Sequence, residues 1–192
     1  MLKAVLFDMD GTLTQPIIDW RAARRRLGVP ETASIMDHIE AQEGDHRAQA
    51  EELLEQIEFE AATGAVPNEG VADLIEQLRN NGLKTGLVTN NHRRAMEHIV
   101  EKLGLSFDLL LSREDGVAKP APDLLILALE RLSVEAGDTV FIGDGRYDRA
   151  AAAAAGIAYI HLEHDPAAPS NGPTVRGLAE IWQLIEPLMA AT

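Results

Sequence analysis

Five short apolar runs recur along the chain: Leu2 to Phe7, Thr85 to Val88, Phe107 to Leu111, Thr139 to Ile142 and Ile157 to Ile160. Helical stretches lie between them. Runs of this length suit buried strands, and strands that alternate with helices build a parallel sheet covered on both faces. The helical stretches keep a 3.6-residue apolar period, as in Val71, Leu74, Ile75 and Leu78 and in Ile99, Val100 and Leu103. Gly82 and Gly104 follow as stops. Pro122 and Asp123 open a further helix carrying Leu124, Leu125, Leu127, Ala128 and Leu132. Asp148 stands where an N-cap would, ahead of an alanine run. Alanine is the best helix former and its small side chain lets a helix lie close against a sheet, so the run is predicted to be a packed helix.

One stretch breaks the alternation. From Ile17 to Thr63 no strand is apparent, and the pattern predicts two or three helices with Ala48, Leu53, Leu54 and Ile57 as an apolar stripe. Pro16 borders it on one side and Gly64 to Gly70 on the other, both hinge-like. The organisation expected is therefore a core of residues 1–15 and 65–192, with a small all-helical insertion, 16–64, hanging over the end of the first strand. Asp165 to Pro173 reads as a surface loop before a last helix, Leu178 to Leu188. The 192 residues, 46% hydrophobic and 25% charged, suffice for one domain with such an insertion.

A net charge of −14 disfavours nucleic acid or an anionic membrane as partner. A small anion in a local positive pocket stays possible, because salt screens acids beyond ~8 Å. The chain has no cysteine, which excludes disulfides, thiol nucleophiles and thiolate metal sites. The N-terminal run is too short for a signal peptide, and Ala150 to Ile160 is shorter than the ~20 residues of a membrane helix, so a cytoplasmic location is the expectation.

Asp8 and Asp10 end the first run two residues apart, so if the extended geometry persists both carboxylates project to one side and Met9 to the other. Two acids on one edge repel unless a cation joins them. Thr89 and Asn90 follow the second run, Lys119 precedes Pro120 and a helix, and Gly143, Asp144 and Asp148 follow the run from Thr139. Every one falls at the C-terminal side of the expected sheet, where open α/β sheets bind ligands. Acids, one hydroxyl, backbone amides and one ammonium are what a magnesium-assisted phosphoryl transfer requires. His161 and His164 read as solvated loop histidines, His38, His46 and His98 as surface residues, and His92 as a residue just after Thr89 and Asn90. Arg21, Arg24 and Arg25 share one helical face in the insertion.

The sequence resembles the haloacid dehalogenase superfamily: Asp8-Met9-Asp10-Gly11-Thr12 looks like its first motif, Thr89 the second, Lys119 the third, and Gly143-Asp144 with Asp148 the fourth. Gly145 stands where the family often has serine. The resemblance implies a Rossmann-like, doubly wound parallel sheet with the nucleophile on its central strand, and a small helical cap after the first strand, of the type resembling phosphoglycolate phosphatase. It further implies a phosphatase acting on a small phosphorylated metabolite. Asp8 would be the nucleophile and Asp10 the acid, then the base. Mg²⁺ would be held by Asp8, the backbone carbonyl of Asp10, and Asp144, with Asp148 as a direct or water-mediated ligand. Thr89 and the Asn90 amide would grip phosphate while Lys119 orients Asp8. Under the cap reading, Arg24 or Arg25 becomes a clamp for an anionic substrate tail. A haloacid dehalogenase, a phosphomutase and a phospho-aspartate signalling module are the rivals. An acid at the Asp10 position argues against halide, a leaving group that needs no proton. The first-strand Asp pair and the helical insertion argue against a signalling module.

Overall fold

The computed structural model describes residues 1–16, 18–169 and 172–190. Ile17, the start of the expected helical insertion, and Ser170 and Asn171, inside the expected surface loop, lie outside the described residues. Six parallel strands form one sheet in the order β3-β2-β1-β4-β5-β6. They are β1 (Ala4–Phe7), β2 (Lys84–Val88), β3 (Leu109–Leu111), β4 (Thr139–Gly143), β5 (Ala158–Leu162) and β6 (Thr174–Val175). The five expected strands are present, each shifted at its ends by a residue or two. β6 was not expected, because a two-residue strand leaves no period to read.

The central strand shows why the sheet is buried on both sides. Val5 and Phe7 of β1 enter an apolar cluster with α4 (Val71–Asn80), α5 (Arg93–Lys102) and α8 (Ile181–Ala190). Ala4 and Leu6 enter the opposite cluster with α6 (Asp123–Leu132) and α7 (Arg146–Ala155). The alanine run does form a packed helix, with Ala151 and Ala152 fully buried. Asp148 is not its N-cap, however. The helix opens at Arg146 after Gly145, and Asp148 sits in its first turn, where its carboxylate accepts the Gly145 N–H at 2.9 Å. The last helix begins with a short 3₁₀ turn, Leu178–Glu180.

Three helices fill the stretch between β1 and α4: α1 (Trp20–Leu27), α2 (Ile35–Glu40) and α3 (Gly44–Thr63). Asp19 caps α1 by accepting from Ala22 N, and Ser34 caps α2 by accepting from Asp37 N. These helices share an apolar cluster of their own, centred on Ile18, Ala23, Leu27, Ile39, Leu54 and Ile57. The stripe expected on α3 holds only in part. Its buried residues, Leu54, Ile57, Glu58 and Ala62, all fall in the second half, while Ala48 is exposed.

The two segments bordering the helices are stitched together. Gln15 N donates to Val66 O and Asn68 N to Leu13 O, both at 2.9 Å, and the Asn68 side chain donates to Thr12 O and Thr14 O. The strand order reverses between β2 and β4 on either side of β1, which opens a crevice beyond the carboxyl end of β1.

Candidate active site

The extended geometry of β1 stops at Phe7. Met9 is buried and its carbonyl accepts from Thr12, Leu13 and Thr14 N at 3.2, 2.9 and 3.1 Å, which folds the chain into a tight turn. Asp8 and Asp10 nevertheless both line the crevice. Gly11 sits at φ +82°, and a Cβ there would lie 2.0 Å from Asp144 Oδ2. Only glycine lets the β4–α7 loop bring that carboxylate against the turn.

The charges meet around Lys119, whose side chain is 2% exposed. Its Nζ donates to Asp8 Oδ1 and Asp148 Oδ1 at 2.6 Å each and to Val88 O at 2.9 Å. Oxygens of Asp8, Asp144 and Asp148 lie within 4.8 Å of one another. Burial, then the Asp148 charge, pushes Asp8 up to about 7 against the pull of Lys119. Burial, then Asp8, Asp148 and Asp10, pushes Asp144 up to about 8. Burial by itself would loosen the Lys119 proton, but the charges and hydrogen bonds of Asp148 and Asp8 hold it above the ordinary lysine value. One ammonium does not balance three carboxylates. A hard divalent cation such as Mg²⁺ fits this donor set, because carboxylate oxygens suit it and its charge removes the repulsion. Asp148 has both oxygens engaged, one by Lys119 and one by Gly145 N, which leaves Asp8 and Asp144 better placed for direct ligation.

Across the crevice, Thr89 is buried and its hydroxyl oxygen accepts from Asn91 N at 3.1 Å. The Asn90 side chain is committed to the Lys119 backbone: Oδ1 accepts from Lys119 N at 2.8 Å and Nδ2 donates to Lys119 O at 2.7 Å. It therefore joins two loops, and the part of Asn90 left for a ligand is its backbone N–H. Asp8, Asp10, Thr89, Asn90, Lys119, Asp144 and Asp148 all line one cavity of about 440 Å³, roofed by Ile18, just before α1, and by Trp20, Ile35, Met36 and Leu54 from the three helices. Arg24 reaches this cavity, with Nη1 donating to Pro30 O at 3.1 Å and Ala33 O at 2.5 Å. Arg21 and Arg25 lie exposed.

The histidines match expectation only in part. His161 is in β5 rather than a loop, 3.3 Å from both the Tyr159 hydroxyl and Glu163 Oε2, while the Tyr159 hydroxyl donates to Gly143 O at 2.7 Å. His164 Nε2 donates to Gly11 O at 2.7 Å and lies 3.7 Å from Asp144 Oδ2. His161 thus departs from the expected solvated loop residue, whereas His164 is an exposed loop histidine as expected and also contacts the acidic loop. His38 and His98 are half-buried, the latter 5.2 Å from the Phe59 ring, and only His46 is exposed as expected. His92 caps α5 through Nδ1, and its Nε2 is 2.8 Å from Glu114. A buried pair went unforeseen: Glu58 of α3 with Arg113, which follows β3, at 2.5 and 2.6 Å. Their 55-residue separation gives no local signal.

Residues 2–156 match the haloacid dehalogenase-like hydrolase family. The chain is 31% identical over 199 residues to an N-acetylmuramic acid 6-phosphate phosphatase of Pseudomonas aeruginosa, covering 86% of this chain and 87% of that protein. It is 27% identical over 184 residues to phosphoglycolate phosphatase 1 of the same species, covering 81% and 67%. A haloacid dehalogenase-like hydrolase domain-containing protein of Arabidopsis thaliana is 29% identical over 158 residues, 77% of this chain and 64% of that protein. Among solved structures, a hydrolase from Pseudomonas syringae shares the fold with a TM-score of 0.79 at 18% identity, over 97% and 99% of the two chains. No described helix is long and apolar enough to cross a membrane.

Proposed function

Because this chain belongs to the haloacid dehalogenase-like hydrolases, we propose that it is a Mg²⁺-dependent phosphatase of a small phosphorylated metabolite, acting through an aspartyl phosphate on Asp8. Residues 1–15 and 65–192 are then the catalytic core and 16–64 the cap. The observation that carries this reading is the buried contact of Lys119 with Asp8, beside Asp144 and facing Thr89 in one cavity. The Lys119 ammonium aims the Asp8 carboxylate and opposes the burial that raises its proton affinity, which favours the anion a nucleophile needs.

In the first step an Asp8 oxygen attacks phosphorus, the bond to the leaving oxygen breaks, and Asp10 gives that oxygen its proton. In the second step water attacks the same phosphorus, its proton goes to Asp10, and Asp8 leaves as a carboxylate with release of inorganic phosphate. Thr89 Oγ1 already accepts from Asn91 N, so its own proton is free to point at a phosphate oxygen, alongside the Asn90 backbone N–H. Lys119 holds Asp8 and offsets the charge of the transferring group. Mg²⁺ would be held by Asp8, the Asp10 backbone carbonyl and Asp144, with Asp148 acting through water, and when bound it supplies the charge that lets Asp8 and Asp144 ionise together.

The relatives named for N-acetylmuramic acid 6-phosphate and phosphoglycolate support a phosphomonoester as substrate, and a cavity of about 440 Å³ has the size of a small-molecule site. A phosphomutase would share the first step but shield its phosphoenzyme from water, and a signalling module would keep its phosphoenzyme for minutes. The deciding experiment is hydrolysis of an aryl phosphate with and without Mg²⁺. Activity is expected to vanish with chelator, to return with Mg²⁺, and to be absent in Asp8→Asn. Undiminished rates in chelator or in Asp8→Asn would overturn the reading.

A further inference from the structure

Glu58 raises a question of charge. It lies on the wall of a cavity proposed for phosphate dianions, 2% exposed, where a carboxylate would repel the ligand. Burial pushes its carboxyl above the ordinary glutamate value, opposed by Arg113 and by the His92 N–H. A buried carboxylate is tolerated only with partners that compensate its charge and fill its hydrogen bonds.

Those partners converge on one tripeptide. Glu58 Oε2 accepts from His92 N at 2.8 Å, and both its oxygens accept from Arg113 Nη1. The same Nη1 donates to Asn90 O at 3.0 Å. The peptide between Asn90 and Asn91 is thereby held from two sides, its carbonyl by Arg113 and its N–H by Thr89 Oγ1. Rotation of that peptide would take the Asn91 N–H away from the Thr89 hydroxyl and free the hydroxyl to turn. A line of hydrogen bonds thus runs from the cap helix α3 through Arg113 and the Asn90–Asn91 peptide to the group that would touch phosphate.

We propose that Glu58 and Arg113 are positioning residues that aim the Thr89 hydroxyl at the phosphate, so that docking of α3 on the core and the grip on phosphate are one arrangement. This rests on the phosphatase reading. It assigns a cap residue to phosphate affinity, distinct from any role of the cap in recognising the rest of the substrate. Thr89 binds phosphate in the ground state and the transition state alike, so misaiming it raises KM more than it lowers kcat.

The test uses Glu58→Gln and the neutral double variant Glu58→Gln/Arg113→Met, the second removing the unpaired buried cation that the first leaves. Aryl phosphate kinetics, inhibition by inorganic phosphate and Tm are measured on each. In both variants KM and the inhibition constant for phosphate are expected to rise together by about tenfold, the scale of one well-aimed hydrogen bond to a charged group. The rate constant kcat is expected to stay within about threefold, and the double variant to recover Tm without recovering phosphate affinity. Wild-type phosphate inhibition in the double variant would make the pair purely structural and overturn the proposal. Tighter phosphate binding in Glu58→Gln would overturn it too, by showing that the carboxylate acts as a charge opposing the ligand. A wild-type protein that does not hydrolyse aryl phosphate in the presence of Mg²⁺ would sink the phosphatase reading itself, and the two failures are read apart.

Discussion

Asp8 and Asp10 are two residues apart yet differ in burial. Asp8 is buried against an ammonium, whereas Asp10 is half-buried in the turn beyond the strand. A nucleophile must be anionic before attack and a general acid must hold a proton until the leaving oxygen needs it; Lys119 favours the anion at Asp8 against the burial that raises it, and the proposed role of Asp10 is that of the acid. Asp10→Asn is accordingly expected to slow phosphoenzyme formation from alkyl phosphates by ~10² to 10⁴-fold while barely affecting aryl phosphates with good leaving groups. Single-turnover measurements across leaving-group pKa check this, and a loss independent of leaving group would remove Asp10 from the role of acid. Asp8, Asp10, Thr89, Asn90 and Asp144 were legible in the sequence because each follows a strand closely, so that strand placement fixes the residue's position. What Asn90 does with its side chain was not legible, since its partner is the Lys119 backbone 29 residues away. The same holds for Glu58, which in the sequence is one acid among many on a charged helix.

The elements of the core could be read because burial on two faces imposes continuous apolar runs on the strands and a 3.6-residue period on the helices. β6 escaped because it has two residues, and Asp148 was placed at the wrong end of the first turn of α7 because Gly145, with no side chain to cap, leaves no N-cap signal. The cap helices were legible as helices but not in their packing, since the buried residues of α3 occupy only its second half. Helix α1 carries the cationic face that the sequence offered as a clamp, and its orientation separates the two candidates. Arg24 faces the cavity and Arg25 does not. If the substrate carries a second anionic group, Arg24→Ala is expected to lower kcat/KM for it by roughly 10 to 200-fold, from ~1.5 to 3 kcal/mol per charge-assisted hydrogen bond. Hydrolysis of an aryl phosphate should change little, and Arg25→Ala should leave both substrates as they were. Steady-state kinetics on the two variants decide it, and an equal loss on both substrates in Arg24→Ala would reduce Arg24 to holding the loop through Pro30 and Ala33.

At the scale of the whole molecule, an acidic chain keeps three more carboxylates where its sheet ends meet, and the folded state bears the repulsion. Asp8 and Asp144 have proton affinities raised to about 7 and about 8, against an unfolded value of 3.8. A carboxyl whose folded pKa is raised binds more protons folded than unfolded, so without a cation stability falls as pH rises from the unfolded pKa through the folded one. Groups shifted the other way, Asp115, Asp138 and Glu163, lose their contribution only as pH falls below the ordinary carboxylate range, outside that window. A divalent cation bound to the ionised form restores what ionisation costs, and it competes with protons for the same oxygens. The stabilisation by Mg²⁺ is therefore expected to be larger at pH 8.5 than at pH 5.5. Each tenfold difference in proton affinity is worth ~1.4 kcal/mol, which for a chain of this length is roughly 3 to 5 °C in Tm. Thermal melts at the two pH values, each with chelator and with excess Mg²⁺, measure the difference of differences, in which histidines remote from the site cancel. Asp144→Asn removes a charge and a ligand together, so it should raise Tm in chelator at pH 8.5 and erase most of the Mg²⁺ response. A Mg²⁺ shift that is the same at both pH values, or that survives in Asp144→Asn, would place the cation away from this cluster and leave the three carboxylates without the counter-charge on which the proposed chemistry depends.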